Sequence, residues 1–542
     1  MVGKVRTPNG PALYDIYPSL GLFMPALHIP LAGVLHYDGG MSKAYQTLER
    51  HFARLSSLDD ALGILSWDKE VIMPHGAADR RADTLATLAG LRHDILTAPA
   101  MTDLLADAEA GATLTAWQKA NLAEMRRSHA HATALPGDLV EALTQATTRS
   151  EMAWREARAQ SDYAGFLPHL TEVLNLTRQT ATAKGQAMGL SPYDALLDSF
   201  DPGTRQSHID PIFTKLEADL PGLISAVLEK QASLPPALPL TGPFPVPQQE
   251  ALGRRLMQQL GFDMSRGRLD VSTHPFCGGA TYDVRLTTRY VEDDFIPAMM
   301  GVLHETGHAL YEQGLPAEWV SQPVGKAGGM TLHESQSLMV EMQVCRSRAF
   351  VDWVTPHVRE AFGAPQTPAW QAENLHRHLI HVQPGFIRVD ADEVTYPAHI
   401  LVRYKLEKAM VSGDLSLADL PGAFNDGIKA LLGLGVPDDR RGCLQDIHWP
   451  EGLFGYFPCY ALGAMAAAQL RTAAYEQSPD IAPAVEQGDF LPLMHWLRTN
   501  VHSRASSASM PEILQTATGS PLKADAYLAH IRNRYLNRSA DA

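Results

Sequence analysis

Two histidines four residues apart, His304 and His308, are the side chains of this sequence best placed to bind a metal ion. Positions i and i+4 of a helix lie on one face, one turn apart, so both imidazoles can reach the same ion. Glu305 projects from the same helix and can act as a general base towards water at that ion. This combination is typical of zinc peptidases; the alternative is a surface helix that carries two histidines by chance.

Apolar residues on both sides of the motif argue against a surface helix. A polar cluster in a buried helix needs a compensating partner, and a metal ion provides one. The flanking residues that predict burial are Ile296, Met299, Met300, Val302, Leu303, Ala309 and Leu310.

A catalytic zinc ion has three protein ligands and keeps one position open. Glu334 is the candidate for the third ligand, because a second helix-like run begins there, 26 residues after His308. The glycine-rich residues 325–329 predict the loop between the two helices. No Gly-x-x-His follows at the spacing of zinc peptidases with three histidine ligands. The set His304, His308 and Glu334 suits Zn²⁺, with Co²⁺ as an alternative, because imidazole and carboxylate accept neighbouring divalent ions.

Composition and charge exclude several classes of protein. Of 542 residues, 45% are hydrophobic and 19% are charged, so the chain has ample apolar side chains for a core and is not disordered. The net charge of −15 disfavours a nucleic-acid partner, and neither a basic stripe nor an apolar run of membrane-spanning length indicates a membrane partner. Four cysteines without a C-x-x-C pair are typical of reduced thiols, which predicts a cytoplasmic protein.

Hydrophobic periodicity divides the chain into an extension and one large helical domain. Residues 1–40 are rich in Pro and Gly without a clear period, so we expect an extension outside the catalytic fold. Residues 41–542 carry repeated helical patterns and are predicted to form a single domain. Residues 192–203 are rich in turn-forming types and are predicted to be a turn-rich segment.

Two segments before the metal-binding motif have a β-type pattern. Residues 269–272 and 280–290 carry β-branched and aromatic side chains, with two glycines between them, and predict a short strand pair. Asp283, Arg285 and Thr287 lie two apart and therefore share one face. An open edge there would accept an extended peptide by strand addition, or the charged pair is structural.

These motifs, taken in order, resemble those of the carboxypeptidase Taq family of zinc metallocarboxypeptidases. The similarity covers about residues 41–535. It is carried by His274-Pro275-Phe276, Asp283-x-Arg285-x-Thr287, His304-Glu305-x-x-His308, His333-Glu334-Ser335-Gln336, Ile387-Arg388-x-x-Ala391-Asp392 and Gly442-x-x-Gln445-Asp446-x-His448-Trp449.

The resemblance implies a mainly α fold, with a large helical body split by a deep active-site groove and a small β-sheet beside the zinc helix, similar to neurolysin and angiotensin-converting enzyme. It also implies a homodimer, an absent secretion signal, and broad removal of C-terminal residues from peptides except at proline.

Peptide hydrolysis also needs a hydrogen-bond donor for the oxyanion besides the metal. Tyr456 is the first candidate, since tyrosines that follow the zinc helices have this role in the similar folds. Tyr460 and His448 are further candidates. The alternative for Tyr456 is a packed aromatic side chain.

A carboxypeptidase needs a cation for the terminal carboxylate of its substrate, and the planar fork of arginine suits it. Arg388 is the first candidate, because it belongs to a family motif, and Arg285 is the second. An ion pair between Arg388 and Asp390 or Asp392 is the competing interpretation.

Three further polar residues of the motifs are candidates for substrate contacts. Gln445 and His448 would hold the substrate backbone or orient the zinc ligands, and His274 would take either role.

Three functions remain open from the sequence. A metallocarboxypeptidase is the first, an oligopeptidase or endopeptidase of the same fold is the second, and a catalytically inactive peptide-binding protein is the third. The intact His304, Glu305, His308 and Glu334 argue against the third.

Overall fold

The computed structural model describes residues 42–111 and 113–537. The predicted extension, residues 1–40, lies outside these described residues, and the single domain over residues 41–542 stays a prediction. Within the described residues, helices dominate and three short strands form one sheet.

The first half of the described chain is a series of nine helices. Their bounds are α1 Lys43–Val71, α2 Ala78–Leu96, α3 Pro99–Ala110, α4 Ala116–Thr133, α5 Gly137–Gln160, α6 Tyr163–Met188, α7 Pro192–Phe200, α8 Gln206–Ala232 and α9 Val246–Gln259. Local sequence sets several of the starts. Ser42 caps α1 through its hydroxyl, and Thr115 with Gln118 forms a capping box at α4.

Helix α7, Pro192–Phe200, corrects the prediction of a turn-rich segment over residues 192–203. Ser191 accepts a hydrogen bond from the backbone N–H of Asp194, and Pro192 occupies the first turn, where its missing N–H costs nothing. The turn-forming residue types therefore start a helix here, because the same residues serve as N-terminal helix caps.

The sheet has three strands in the order β1-β3-β2, with bounds β1 Gly267–Val271, β2 Cys277–Ala280 and β3 Asp283–Thr288. Strand β3 pairs with β1 in parallel and with β2 antiparallel. The predicted strand pair was incomplete, because Gly278 and Gly279 lie within β2 and not between strands. Gly279 has φ +104°, and a Cβ there would lie 2.1 Å from the carbonyl oxygen of Asp283, so only glycine fits.

The second half of the described chain returns to helices. Their bounds are α10 Ile296–Gln313, α11 Gly329–Leu338, α12 Arg348–Phe362, α13 Ala372–Leu379, α14 Tyr396–Ser412, α15 Leu420–Leu432, α16 Pro458–Gln477, α17 Ile481–Glu486, α18 Leu491–Asn500, α19 Met510–Thr518 and α20 Ala524–Ile531. A π-helical turn, Met339–Val344, continues α11.

The described residues form two separate hydrophobic cores. The large core takes in α5–α20 and the sheet, and helix α16 is buried on nearly all sides because its sequence is mostly alanine and other small or apolar residues. The small core belongs to α1–α4 alone, and its buried residues are Tyr45, Leu48, Phe52, Leu55, Leu96, Met101, Leu105, Ala108, Leu122 and Met125.

Polar contacts join α1–α4 to the rest of the protein. Asn121 of α4 donates to the side chain of Gln322, and Asp60 of α1 accepts from the backbone and hydroxyl of Thr281 at the β2–β3 turn. A mainly α fold with a small sheet beside the helix of the histidine motif is therefore confirmed, while the deep groove stays a prediction. None of the described helices has the length and apolar character that a membrane crossing requires.

Candidate active site

Helix α10 carries His304, Glu305 and His308, as the spacing predicts. Its apolar residues are buried against the large core, which fixes the helix and leaves the two histidines on its partly exposed face. Helix α11 lies beside it and brings Glu334, which is buried, next to the motif.

Two glycines let the helices of the site approach closely. A Cβ on Gly307 of α10 would lie 2.3 Å from the carbonyl oxygen of Gln336 in α11. A Cβ on Gly463 of α16 would lie 2.8 Å from the Cβ and Cγ of Glu334. Both distances are shorter than carbon atoms tolerate, so the position of Glu334 depends on the absence of two side chains.

Among the described residues, ligand atoms of His304, His308 and Glu334 all lie within 4.8 Å of one another. Nε2 of His308 is 3.5 Å from Oε2 of Glu334. Burial lowers the pKa of His308 to about 4, so its imidazole is neutral, as a metal ligand must be. Two imidazoles and one carboxylate are a donor set of catalytic zinc sites, which keep a fourth position open. The residues present therefore fit a divalent metal ion.

Glu341, in the π-helical turn after α11, orients the first histidine. Its Oε2 lies 2.9 Å from Nδ1 of His304, and its Oε1 accepts from Arg346 at 2.7 Å. Burial raises the pKa of Glu341, but the contacts with His304 and Arg346 outweigh it and hold this pKa at about 2. A carboxylate on Nδ1 leaves Nε2 of His304 for the ion.

His333 orients the second histidine. Its Nδ1 lies 2.6 Å from Nδ1 of His308, and its Nε2 lies 2.8 Å from Oε1 of Glu312. Since Oε1 of Glu312 accepts a hydrogen bond from Nε2–H of His333, Nδ1 of His333 carries no proton and accepts from Nδ1–H of His308. This leaves the unprotonated Nε2 of His308 on the side of Glu334.

Glu305 is buried, with only 7% of its surface exposed. Burial is the main cause that raises its pKa to about 7, and the neighbouring His304 opposes the shift. A carboxyl group with a pKa near neutrality is suited to accept and return a proton.

Tyr456, Tyr460 and His448 form an aromatic cluster beside the site. The rings of Tyr456 and Tyr460 are 5.2 Å apart, those of His448 and Tyr456 are 5.6 Å apart, and Nε2 of His448 lies 3.2 Å from the hydroxyl of Tyr460. Burial raises the pKa of Tyr456 well above its usual value, and the charge of Glu334 adds to the shift. The phenol is therefore a neutral hydrogen-bond donor near the third ligand.

Arg388 is buried, and its Nε donates to Oδ1 of Asp446 at 2.8 Å. The alternative expected from the sequence was an ion pair of Arg388 with Asp390 or Asp392. It is wrong, because the partner of Arg388 is Asp446. Asp392 instead accepts hydrogen bonds from the backbone amides of Val394 and Thr395, just before α14, and from that of Gln383 in the preceding loop. The centre of the Arg388 guanidinium lies 4.9 Å from the ring centroid of Tyr460, which connects this arginine to the aromatic cluster.

Gln445 holds the segment of Arg388 through its backbone. Its Oε1 accepts from the backbone N–H of Arg388 at 2.8 Å, and its Nε2 donates to the carbonyls of Phe386, Arg441 and Gly442. The side chain thus joins two loops of the site.

Arg285 and His274 lie in other surroundings. Arg285 makes two hydrogen bonds to Asp283, at 3.0 and 2.6 Å, and its guanidinium centre lies 4.3 Å from the ring centroid of Trp67 in α1. The side chain of His274 is exposed, and its carbonyl accepts from the hydroxyl of Ser272.

Sequence reasoning missed Glu341, Glu312 and the partner role of Asp446. Asp446 had a signal, because it lies in the motif that contains Gln445 and His448. Glu341 lies outside the recognised motifs, five residues after Gln336, and its contact with His304 spans 37 residues.

The chain is similar to known proteins over most of its length. A family model described as carboxypeptidase Taq (M32) metallopeptidase matches residues 47–535. The chain is 38% identical over 506 residues to thermostable carboxypeptidase 1 of Thermus thermophilus, covering 91% of this chain and 98% of the relative. It is 33% identical over 499 residues to carboxypeptidase 1 of Bacillus subtilis, covering 91% and 98%.

Solved structures show the same fold. Metallocarboxypeptidase 1 of Trypanosoma cruzi superposes with a TM-score of 0.89 at 40% identity, covering 91% of this chain and 99% of that one. The M32 carboxypeptidase of Deinococcus radiodurans R1 has a TM-score of 0.87 at 34% identity, with the same coverage. The chain belongs to the carboxypeptidase Taq (M32) metallopeptidase family, and it is a peptide hydrolase whose family chemistry uses a divalent metal ion.

Proposed function

We propose that this metallocarboxypeptidase is zinc-dependent and releases single residues of broad type from the C-terminus of peptides. The observation that carries the proposal is the meeting of three ligand atoms, from His304, His308 and Glu334, within 4.8 Å beside the buried Glu305. Zn²⁺ suits these donors, and Co²⁺ would substitute for it.

When bound, such an ion acts as a Lewis acid that polarises the scissile carbonyl and lowers the pKa of water. Glu305 takes the proton of the attacking water and returns it to the departing amine. The raised pKa of this carboxyl, about 7, supports both transfers at neutral pH.

Tyr456 donates a hydrogen bond to the oxyanion that forms as water attacks. Its raised pKa keeps the proton on the phenol, and Tyr460 and His448 pack against its ring and limit its rotation. Gln445 and His448 contribute by positioning, Gln445 through the backbone of Arg388. Tyr460 contacts the substrate beside Arg388, and His274 would do so from its exposed loop.

Arg388 binds the C-terminal carboxylate of the peptide. Asp446 accepts from its Nε, and this bond directs the rest of the guanidinium. Arg285 stays the alternative cation, but both of its hydrogen bonds go to Asp283.

Incubation of the zinc-loaded protein with a peptide of about ten residues and a blocked N-terminus tests the proposal. Mass spectrometry follows the products over time. A ladder that loses one C-terminal residue at a time is expected. Internal fragments would establish an oligopeptidase or endopeptidase, and zinc binding without any cleavage would favour a peptide-binding protein.

Glu305→Gln is the first variant for this assay. Because glutamine keeps the shape of the side chain but cannot accept the proton, kcat should fall at least about a hundredfold. The zinc content should stay at one ion per chain. An active Glu305→Gln enzyme would contradict the role of Glu305 as general base.

Arg388→Ala is the second variant. It should raise KM at least about tenfold for a peptide with a free C-terminus, since a charged hydrogen bond is lost. An amidated peptide is the control, because it lacks the carboxylate. If Arg285→Ala raises KM instead, Arg285 is the carboxylate-binding cation.

The resemblance to the family supports a homodimer, which light scattering of the purified protein tests. A cytoplasmic location is supported by four free cysteines, Cys277, Cys345, Cys443 and Cys459. Fractionation of cells that produce the protein checks it. The substrates are peptides, and the net charge of −15 argues against nucleic acid and anionic membranes as partners.

A further inference from the structure

Two arginines share one carboxylate behind the proposed carboxylate site. Nε of Arg388 donates to Oδ1 of Asp446 at 2.8 Å. Nε and a terminal nitrogen of Arg403, in α14, donate to Oδ2 of the same Asp446 at 2.7 and 2.5 Å. All three side chains are buried, and Arg403 is completely inaccessible. Two cations and one anion leave one positive charge in excess.

Neighbouring titratable groups do not remove this charge. Glu407 lies one turn further along α14, but its carboxyl group accepts hydrogen bonds from Tyr193, Trp449 and Gly455 and none from Arg403. Burial raises the pKa of Glu407 to about 7, so at pH 7 this group carries only part of a negative charge. Burial lowers the pKa of His399 and of His448 to about 3, so both imidazoles are neutral at pH 7. The excess charge therefore belongs to Arg388, Asp446 and Arg403 together.

A buried charge in excess is unfavourable until an anion joins it. Arg388 is the member of the group that meets the aromatic cluster of the active site, through Tyr460, whereas Arg403 has no exposed surface. Without Arg403, Asp446 would pair with Arg388 alone and neutralise it. An added carboxylate would then gain much less from binding at Arg388.

We propose that Arg403 is a positioning residue, which shares Asp446 with Arg388 and thereby keeps a net positive charge for the substrate's C-terminal carboxylate. The inference rests on the proposed function, and it adds to that function a second arginine that never touches the substrate. Asp446 thus holds Arg388 in place without cancelling its charge.

A double-mutant cycle with the full chain loaded with zinc tests the proposal. Arg403→Gln should raise KM for an N-blocked peptide about tenfold, with kcat changed less than about twofold, because only ground-state binding of the carboxylate is weakened. Product inhibition by L-leucine should weaken in parallel, whereas inhibition by L-leucinamide, which lacks the carboxylate, should not change.

Adding Asp446→Asn to Arg403→Gln removes one charge of each sign and restores the single positive charge on Arg388. KM of the double variant should return to within about threefold of the unchanged protein. A purely structural role for Arg403 would instead make the double variant worse than either single variant. If Arg403→Gln alone fails to fold, KM of the double variant relative to the unchanged protein still tests the proposal, because a value raised about tenfold would refute it.

Arg205→Gln is the matched control, because Arg205 also shares a buried carboxylate, that of Asp198, with a second arginine, Arg127, outside the aromatic cluster. It should lower stability and leave KM unchanged. If Arg403→Gln folds and leaves KM and leucine inhibition unchanged while Arg388→Ala raises KM, the positioning role is refuted and the proposed function stands. If Arg388→Ala also leaves KM unchanged, the carboxylate site itself is misplaced.

Discussion

Gly307→Ala is the most direct test of how the fold builds the metal site. The new Cβ would lie 2.3 Å from the carbonyl oxygen of Gln336 and 2.5 Å from the Cα of Ser337, both backbone atoms of α11. Ordinary contacts begin near about 3.4 Å, so α11 must move away from α10 by roughly 1 Å. Overpacking of this kind costs about 1–3 kcal/mol of stability.

The displaced helix carries Glu334, so the substitution moves one metal ligand away from the other two. Functional groups need placement within about 0.5 Å, and a shift of this size should weaken zinc binding by about tenfold to a hundredfold. Competition with a chromogenic chelator at pH 7.5 measures the zinc dissociation constant directly, without reference to catalysis.

Gly301→Ala is the matched control in the same helix. Its Cβ would meet only the hydroxyl oxygen of Thr288, at an ordinary 3.7 Å. Alanine is a better helix former than glycine, by up to about 1 kcal/mol. Zinc affinity should therefore be unchanged and stability equal or higher. If Gly307→Ala binds zinc as tightly as Gly301→Ala, close packing of α10 on α11 does not position Glu334, and the reasoning fails.

Two further substitutions test one contact of the metal site and one buried carboxylate of α7. Glu341→Gln removes the negative charge from Nδ1 of His304 and should weaken zinc binding by about tenfold to a hundredfold, measured with the same chelator. Asp198→Asn should destabilise the protein at neutral pH. Burial raises the pKa of Asp198, but the hydrogen bond with His131, a backbone amide and two arginines bring it down to about 2. A pKa depressed from 3.8 contributes about 2 kcal/mol of stability above pH 4, which is lost as the pH falls towards 2. The free energy of unfolding, measured with urea at pH 7, 4 and 3, should therefore fall less in Asp198→Asn than in the unchanged protein. An equal fall in both proteins would contradict the assignment.

The sequence was most informative where function depends on local spacing. His304 and His308 lie one turn apart in any helix, and the apolar flanks predict the burial that is observed. The family of the chain and its mainly α fold followed from the ordered motifs and are confirmed.

Hydrophobic periodicity could not predict contacts between segments that are distant in the sequence. The partner of Arg388 was sought among Asp390 and Asp392, which are near in sequence, but Asp446 lies 58 residues away and reaches it only in the folded chain. The strand β2 was missed because Cys-Gly-Gly-Ala has little β propensity, and pairing with β3 stabilises it instead.

The separate small core of α1–α4 predicts a second cooperative unit for unfolding. All three candidate metal ligands belong to α10 and α11, in the large core, so the free energy of metal binding stabilises that unit directly. The small unit shares in this stability through buried contacts with the large core, such as the hydrogen bond of Asn121 with Gln322 and the packing of Trp67 of α1 against Arg285. We therefore expect a bound ion to slow amide exchange most in α10 and α11 and less in α1–α4.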